Sequence, residues 1–330
     1  MSVSPQVRFF NYLHHRYGKK EVIFETMEVL KLQQAAVYKR VNGTTALTTD
    51  ELMQLASHFN VSLDTALQHE NYFSFQHPFQ NSKRSLDFFE HFAFIMEPIL
   101  EKEVIRSEIT YLANELPVFY YLHHEYIFRF QLAIWNHLHW TEGKLIIGSD
   151  QVIDPKIDDL RKQVVESYRA RRVTEIWNPA MLSNLYQQIL YAISIRVFAD
   201  RDFIDKLVKD LENLIHDLQQ LPQQSHDPSS STEDRPNIYI NEFGNYMNIL
   251  LFEGEKLRST CIGYDMPQFI LSHDTRLYDY SKRWVENIKR HSVFITYGGL
   301  RDRELFFASV EREFSQFADR VQKLMVLYQM

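Results

Sequence analysis

Phe203, Leu207, Leu211, Leu214 and Leu218 follow one another at steps of four, four, three and four, with Asp205, Lys206, Lys209, Asp210, Glu212 and Asp217 between them. A stripe of this length and spacing is hidden by laying a helix along a neighbour, so it points to helical layers in its part of the chain. Related spacing runs through LDFFEHFAFIMEPIL, EKEVIRSEITYLANELPVFYYLHHEYIFRFQLAIWNHLHW, IDPKIDDLRKQVVESYRARRV and MLSNLYQQILYAISIRVF. Glycine occurs nine times and proline ten in 330 residues, few for the many turns of a sandwich or barrel. The fold is therefore expected to be mainly α, with residues 86–221 as a helical middle domain.

Composition changes at residues 222–236, PQQSHDPSSSTEDRP, which have almost nothing to bury and read as a disordered linker. Beyond it, NIYINEF, YMNILLF and LRSTCIGY are short runs of β-branched and aromatic residues separated by Gly244-Asn245 and Glu253-Gly254-Glu255. They predict a small antiparallel sheet, followed by a helix over DTRLYDYSKRWVENIKR and a strand at SVFITY. Residues 237–330 thus form an α+β regulatory or dimerisation domain. Its closing segment places Val310, Phe314, Phe317, Val321, Leu324 and Tyr328 on a heptad-like seam, which suits a helix lying on its own domain or a contact between two copies.

The single cysteine, Cys261, can form no internal disulfide, and the first residues carry no secretion signal. No run reaches the about 18 apolar residues of a membrane helix, so a cytoplasmic protein without membrane contact is expected. The net charge of −7 argues against a chain that coats nucleic acid. Residues 1–70 are an exception, with seven basic side chains (Arg8, Arg16, Lys19, Lys20, Lys31, Lys39, Arg40) against seven acidic ones.

Those 70 residues, joined to the rest by a connector at 71–85, hold three short amphipathic segments. Ile23, Met27 and Leu30 form one stripe, Ala36, Val37 and Val41 a second, and Leu52, Leu55, Ala56 and Phe59 a third. Thr48 and Glu51 fit a capping box at the start of the third helix, Gly43 can end the second, and Asn60 can end the third. A helix, a turn of three or four residues and a second helix with a polar outer face can present that second helix to a major groove. The second helix spans Gln33 to Asn42. Its outer face and leading end carry Gln33, Gln34, Ala35, Tyr38, Lys39 and Asn42, with Arg40 on the flank. Glutamine can pair with adenine, while lysine, arginine and tyrosine suit phosphate oxygens or guanine.

At LKLQQAAVYKRVNG and LTTDELMQLASHFNVSLD the segment resembles the lambda-repressor/Cro-like (Xre-type) helix-turn-helix family, in a version found in regulators of the Bacteroidetes. The resemblance covers about 60 of the 330 residues. It implies that Gln33, Gln34, Ala35, Tyr38 and Lys39 face DNA, with Arg40 as a second basic contact. It also implies a left-handed residue in the inter-helix turn, where this chain has Lys31, and places Met27 where the family has alanine.

Other chemistry is weakly signalled. His123, His124, Glu125, His137 and His139 lie close in sequence, but on continuous helices neighbours diverge by about 100° and residues two apart by about 200°. No metal site is assigned to them. Cys261 reads as a buried strand thiol rather than a nucleophile. Gly298-Gly299 with Arg301 or Arg303 reads as a strand-to-helix turn before it reads as an anion site. There is no phosphate loop, dinucleotide fingerprint or nucleophile elbow, and neither catalytic residue nor cofactor is assigned. The aromatics Phe119, Tyr120, Tyr121, Tyr126, Phe128, Phe130, Trp135 and Trp140 belong to a core, with room for a small-molecule pocket as a second reading.

The expected function is a DNA-binding transcriptional regulator acting on double-stranded DNA, a homodimer reading an inverted repeat, with the later regions dimerising or sensing a small-molecule or protein effector. Two other classes stay open. One is an interaction scaffold that docks through the same helix; the other is a metal-dependent enzyme with an appended helix-turn-helix.

Overall fold

The computed structural model describes residues 4–66, 73–100, 107–140, 144–169, 171–221, 236–244, 246–254, 257–296 and 299–328. The chain forms two compact units, Met1–Phe75 and Gln76–Met330.

The first unit contains α1 (Pro5–Tyr17), α2 (Lys19–Leu30), α3 (Gln34–Val41), α4 (Thr49–His58) and the single turn α5 (Leu63–Ala66). Ser4 caps α1 through its hydroxyl, ahead of Pro5 at the first helical position. Thr48 and Glu51 form the reciprocal capping box at α4. Lys31 ends α2 at φ 53°, and Asn60 follows α4 at φ 47°, both in the left-handed region, as does Gly43 after α3. The core gathers Phe9, Phe10 and Leu13 of α1, Val22 and Ile23 of α2, Val37 and Val41 of α3, and Leu55 and Ala56 of α4. Gln6 fastens the loop after α3: its amide nitrogen donates to the Arg40 and Thr45 carbonyls, and its oxygen accepts from Leu47 N–H.

The second unit runs α6 (Ser85–Leu100), β1 (Glu108–Ala113), α7 (Val118–His123), α8 (Glu125–Trp135) with a π-helical turn at Asn136–Trp140, α9 (Pro155–Arg169), β2 (Arg172–Trp177), α10 (Ser183–Ser194), α11 (Arg201–Gln220) and β3 (Asn237–Ile240). It continues with β4 (Ile249–Glu253), β5 (Arg258–Asp265), β6 (Gln268–Ser272), α12 (Thr275–Arg290), β7 (Val293–Phe294) and α13 (Leu300–Tyr328). These strands make one seven-stranded mixed sheet in the order β6-β5-β4-β1-β2-β3-β7. β1, β2 and β3 are parallel, joined by helical crossovers as parallel neighbours require. The remaining pairings are antiparallel.

The fold is thus mainly α with an α+β part, as expected, but the strands are not confined to the C-terminal region. EITYLA and RVTEIW, inside the segment read as helical, supply the centre of the sheet, so 86–221 and 237–330 share one unit and one sheet. The expected small antiparallel sheet is correspondingly larger and mixed. Of the expected linker, 222–235 lie outside the described residues, as do Asn245, Glu255 and Gly298 from the expected turns.

Alternate residues of each central strand face opposite layers. Leu112, Ile176 and Leu251 pack with Tyr278 and Val285 of α12. Ile109, Tyr111, Val173, Trp177 and Ile238 turn to the other face, where α6–α11 and α13 form the larger core. The α11 stripe is buried along its length. The α13 seam is also turned inward: Val310, Phe317 and Val321 are buried, Phe314, Leu324 and Tyr328 pack beside them, and Phe317 stacks on Tyr186 of α10 at 4.5 Å. Among the described residues, no helix is long and apolar enough to cross a membrane.

Candidate functional site

Among the described residues, two places are candidate sites, one a helix and the other a cavity on the helical face of the sheet. The first is α3. Three residues, Lys31, Leu32 and Gln33, separate it from α2, and the left-handed backbone at Lys31 lets its N–H return to the Met27 carbonyl and turn the chain sharply. Burying Val37 and Val41 fixes the helix's rotation. Gln33, Gln34, Ala35, Tyr38, Lys39 and Asn42 consequently lie exposed, with Gln33 at the N-cap. Arg40 differs. It is half-buried, and its guanidinium donates to both Glu51 oxygens, to Oε1 at 2.7 Å from Nη2 and to Oε2 at 3.3 Å from Nε. That bond, first among the causes, holds the Glu51 carboxyl below its ordinary range. Arg40 therefore ties α3 to the capping box of α4.

The second place is a cavity of about 330 Å³ on the larger helical face of the sheet, walled by α7, the end of α9, β2 and the end of α11. Glu175 of β2 lies in its lining with no exposed surface. Its carboxyl accepts from the Tyr120 hydroxyl at 3.1 Å, the Tyr168 hydroxyl at 2.6 Å and the Trp177 indole N–H at 2.5 Å. Desolvation raises the Glu175 pKa in spite of these three donors, and raises both tyrosines well above their ordinary value. Phe119 stacks on Tyr168 at 3.8 Å and flattens one wall. Arg169 and Arg171 bring positive charge to the lining, with desolvation lowering the Arg171 pKa.

His123 and Asp217 also line this cavity. The chain does not continue as one helix through the histidine pair. His123 ends α7, and His124 is extended at φ −89°, ψ 121° as the N-cap of α8. The free end of α8 is satisfied from another element, since Tyr126 N–H donates to the Asp210 carboxylate of α11 at 2.6 Å. Asp217 lies seven residues, about two turns, further along the same helix, on the same side. The 100° divergence expected for adjacent histidines therefore does not apply, and their ring centroids lie 5.1 Å apart. Desolvation, aided by Arg169, lowers His123 to about 4; desolvation also lowers His124.

The second histidine pair is not part of this group. His139 Nε2 lies 3.0 Å from the Met266 carbonyl oxygen and Nδ1 3.4 Å from Asp265, tying the π-helical turn to the β5–β6 connection. Cys261 is half-buried in β5, and desolvation pushes its thiol up to about 12, as suits an unreactive strand cysteine. Gly299, at φ 61°, sits just before α13 and its carbonyl accepts from Arg303 N–H.

The sequence singled out α3 but gave no sign of Glu175, whose partners are separated from it by up to 55 residues. No family model matches the chain, nor does any curated protein or solved structure.

Proposed function

We propose that the protein is a cytoplasmic, sequence-specific DNA-binding transcriptional regulator that lays α3 in the major groove of double-stranded DNA. The observation carrying this reading is the combination of a three-residue turn into α3 with an outer face of Gln33, Gln34, Ala35, Tyr38, Lys39 and Asn42 left exposed within the first unit. Gln33 and Gln34 at the leading end suit base edges. Lys39 and Tyr38, one turn on, suit the phosphate strand. A single such helix offers few phosphate contacts, so the active species is a homodimer that sets two copies of α3 about 34 Å apart on an inverted repeat. The Gln76–Met330 unit is then the receiving part of the regulator, and its 330 Å³ cavity supports an effector site there.

The test is selection of bound duplexes from a random pool by the full chain. Enrichment of an inverted repeat is expected. Failure to enrich any sequence, even at low salt, overturns the reading and favours a docking module for another protein.

A further inference from the structure

His123, His124 and Asp217 each offer one ligand atom, and these three atoms lie within 4.8 Å of one another. We propose that the three side chains bind a divalent transition-metal ion of the zinc class, with a fourth coordination position open to the cavity. This inference stands apart from the reading of α3.

His124 Nε2 and Asp217 Oδ2 are 3.5 Å apart, longer than the roughly 2.7–3.2 Å of a good hydrogen bond between nitrogen and oxygen. Two ligands at about 2.0–2.1 Å from a tetrahedral ion stand roughly 3.3–3.4 Å from each other, so the pair already spans one edge of such a site. The donor chemistry agrees with the distance. Two imidazole nitrogens and one carboxylate oxygen suit zinc and its neighbours, whereas calcium and magnesium call for a shell of oxygens.

The ligands are also held in place by the fold. His124 is 7% exposed and held at the break between α7 and α8. Asp210, bonded to the start of α8, fixes α11 against that break and thereby places Asp217. His123 is the ligand that must turn to close the set, and it is exposed at the cavity wall, as is Asp217. Three protein ligands leave a tetrahedral ion one exchangeable position. Arg169 and Arg171 in the same lining make an oxyanion, a carboxylate or phosphate, the class of small ligand suited to that position.

The experiment is a titration of the full, tag-free, chelator-treated chain with Co²⁺ alone, followed by Zn²⁺. One equivalent of Co²⁺ is expected to bind with the visible absorption of a four-coordinate ion, and one equivalent of Zn²⁺ to bleach it. His123→Ala and Asp217→Asn, made at exposed positions so that the circular dichroism stays that of the parent, should each weaken binding at least about tenfold and remove the band. His137→Ala should change neither. No stoichiometric Co²⁺ binding overturns the proposal. So does binding that survives both ligand variants or disappears with His137→Ala, since the ion then sits elsewhere.

Discussion

Lys31 carries the turn into α3 in a backbone conformation that costs an L-residue with a Cβ roughly 1–2 kcal/mol. Glycine removes that cost but gains freedom in the unfolded chain. Lys31→Gly is expected to stabilise the first unit by up to about 1 kcal/mol. All four tryptophans lie in 76–330, so fluorescence does not follow this change; amide hydrogen exchange across α2 and α3 does. Glu175 is the residue-scale counterpart in the second unit. Its pKa is raised above the ordinary carboxyl value of 4.5, so the folded state holds the proton more tightly than the unfolded chain does. Its contribution to stability is fully present below 4.5 and is lost as pH rises through the folded pKa. Glu175→Gln should abolish that decline in denaturant midpoints measured from pH 4.5 upward. Glu175→Leu leaves the Tyr120, Tyr168 and Trp177 donors without their acceptor and should cost about 3–5 kcal/mol.

At the scale of the element, α3 separates two kinds of basic residue that look alike in the sequence. Lys39 is exposed, whereas Arg40 is spent on Glu51. On the proposed function, Lys39→Ala weakens binding to every duplex and lowers the salt slope by about one. Arg40→Ala should instead cost about 1 kcal/mol of first-unit stability, seen in hydrogen exchange, with the salt slope unchanged. The α13 seam presents the same kind of choice. Because Phe317 is buried against Tyr186, Phe317→Ala should cost about 3–5 kcal/mol and leave the oligomeric state unaltered in sedimentation. The period of α11 and α13 was fully legible, and so were the caps at Thr48, Gly43 and Asn60, because each is a local property. β1 and β2 were not. Each is six residues long, and a buried strand that short carries no period that separates it from a helix. The break between His123 and His124 was not legible for a related reason: it is stabilised by Asp210, 84 residues beyond the amide it binds, and no local residue announces it.

For the whole molecule, the order of strands decides what can fold alone. β1 sits between β4 and β2, and β2 between β1 and β3, so each central strand has a partner from beyond residue 236. A chain ended at residue 221 would bare both sides of that pair. It should therefore lose the native near-ultraviolet signal of its tryptophans, while the first unit in the same fragment keeps its helices. Glu175 could not be foreseen for the same reason, since its cavity exists only once α7, α9 and α11 have been laid on the sheet.

The rims of that sheet are closed in different ways. β7 has only two residues, and the outer side of β6 is taken by Gln76, which exchanges two backbone bonds with Leu271. Gln76 blunts the β6 rim at Leu271, and the shortness of β7 limits the other, both of which work against recruiting a strand from another chain. Release of the short segment around Gln76 would bare the Leu271 backbone, so pairing with a strand of another chain is expected to begin there.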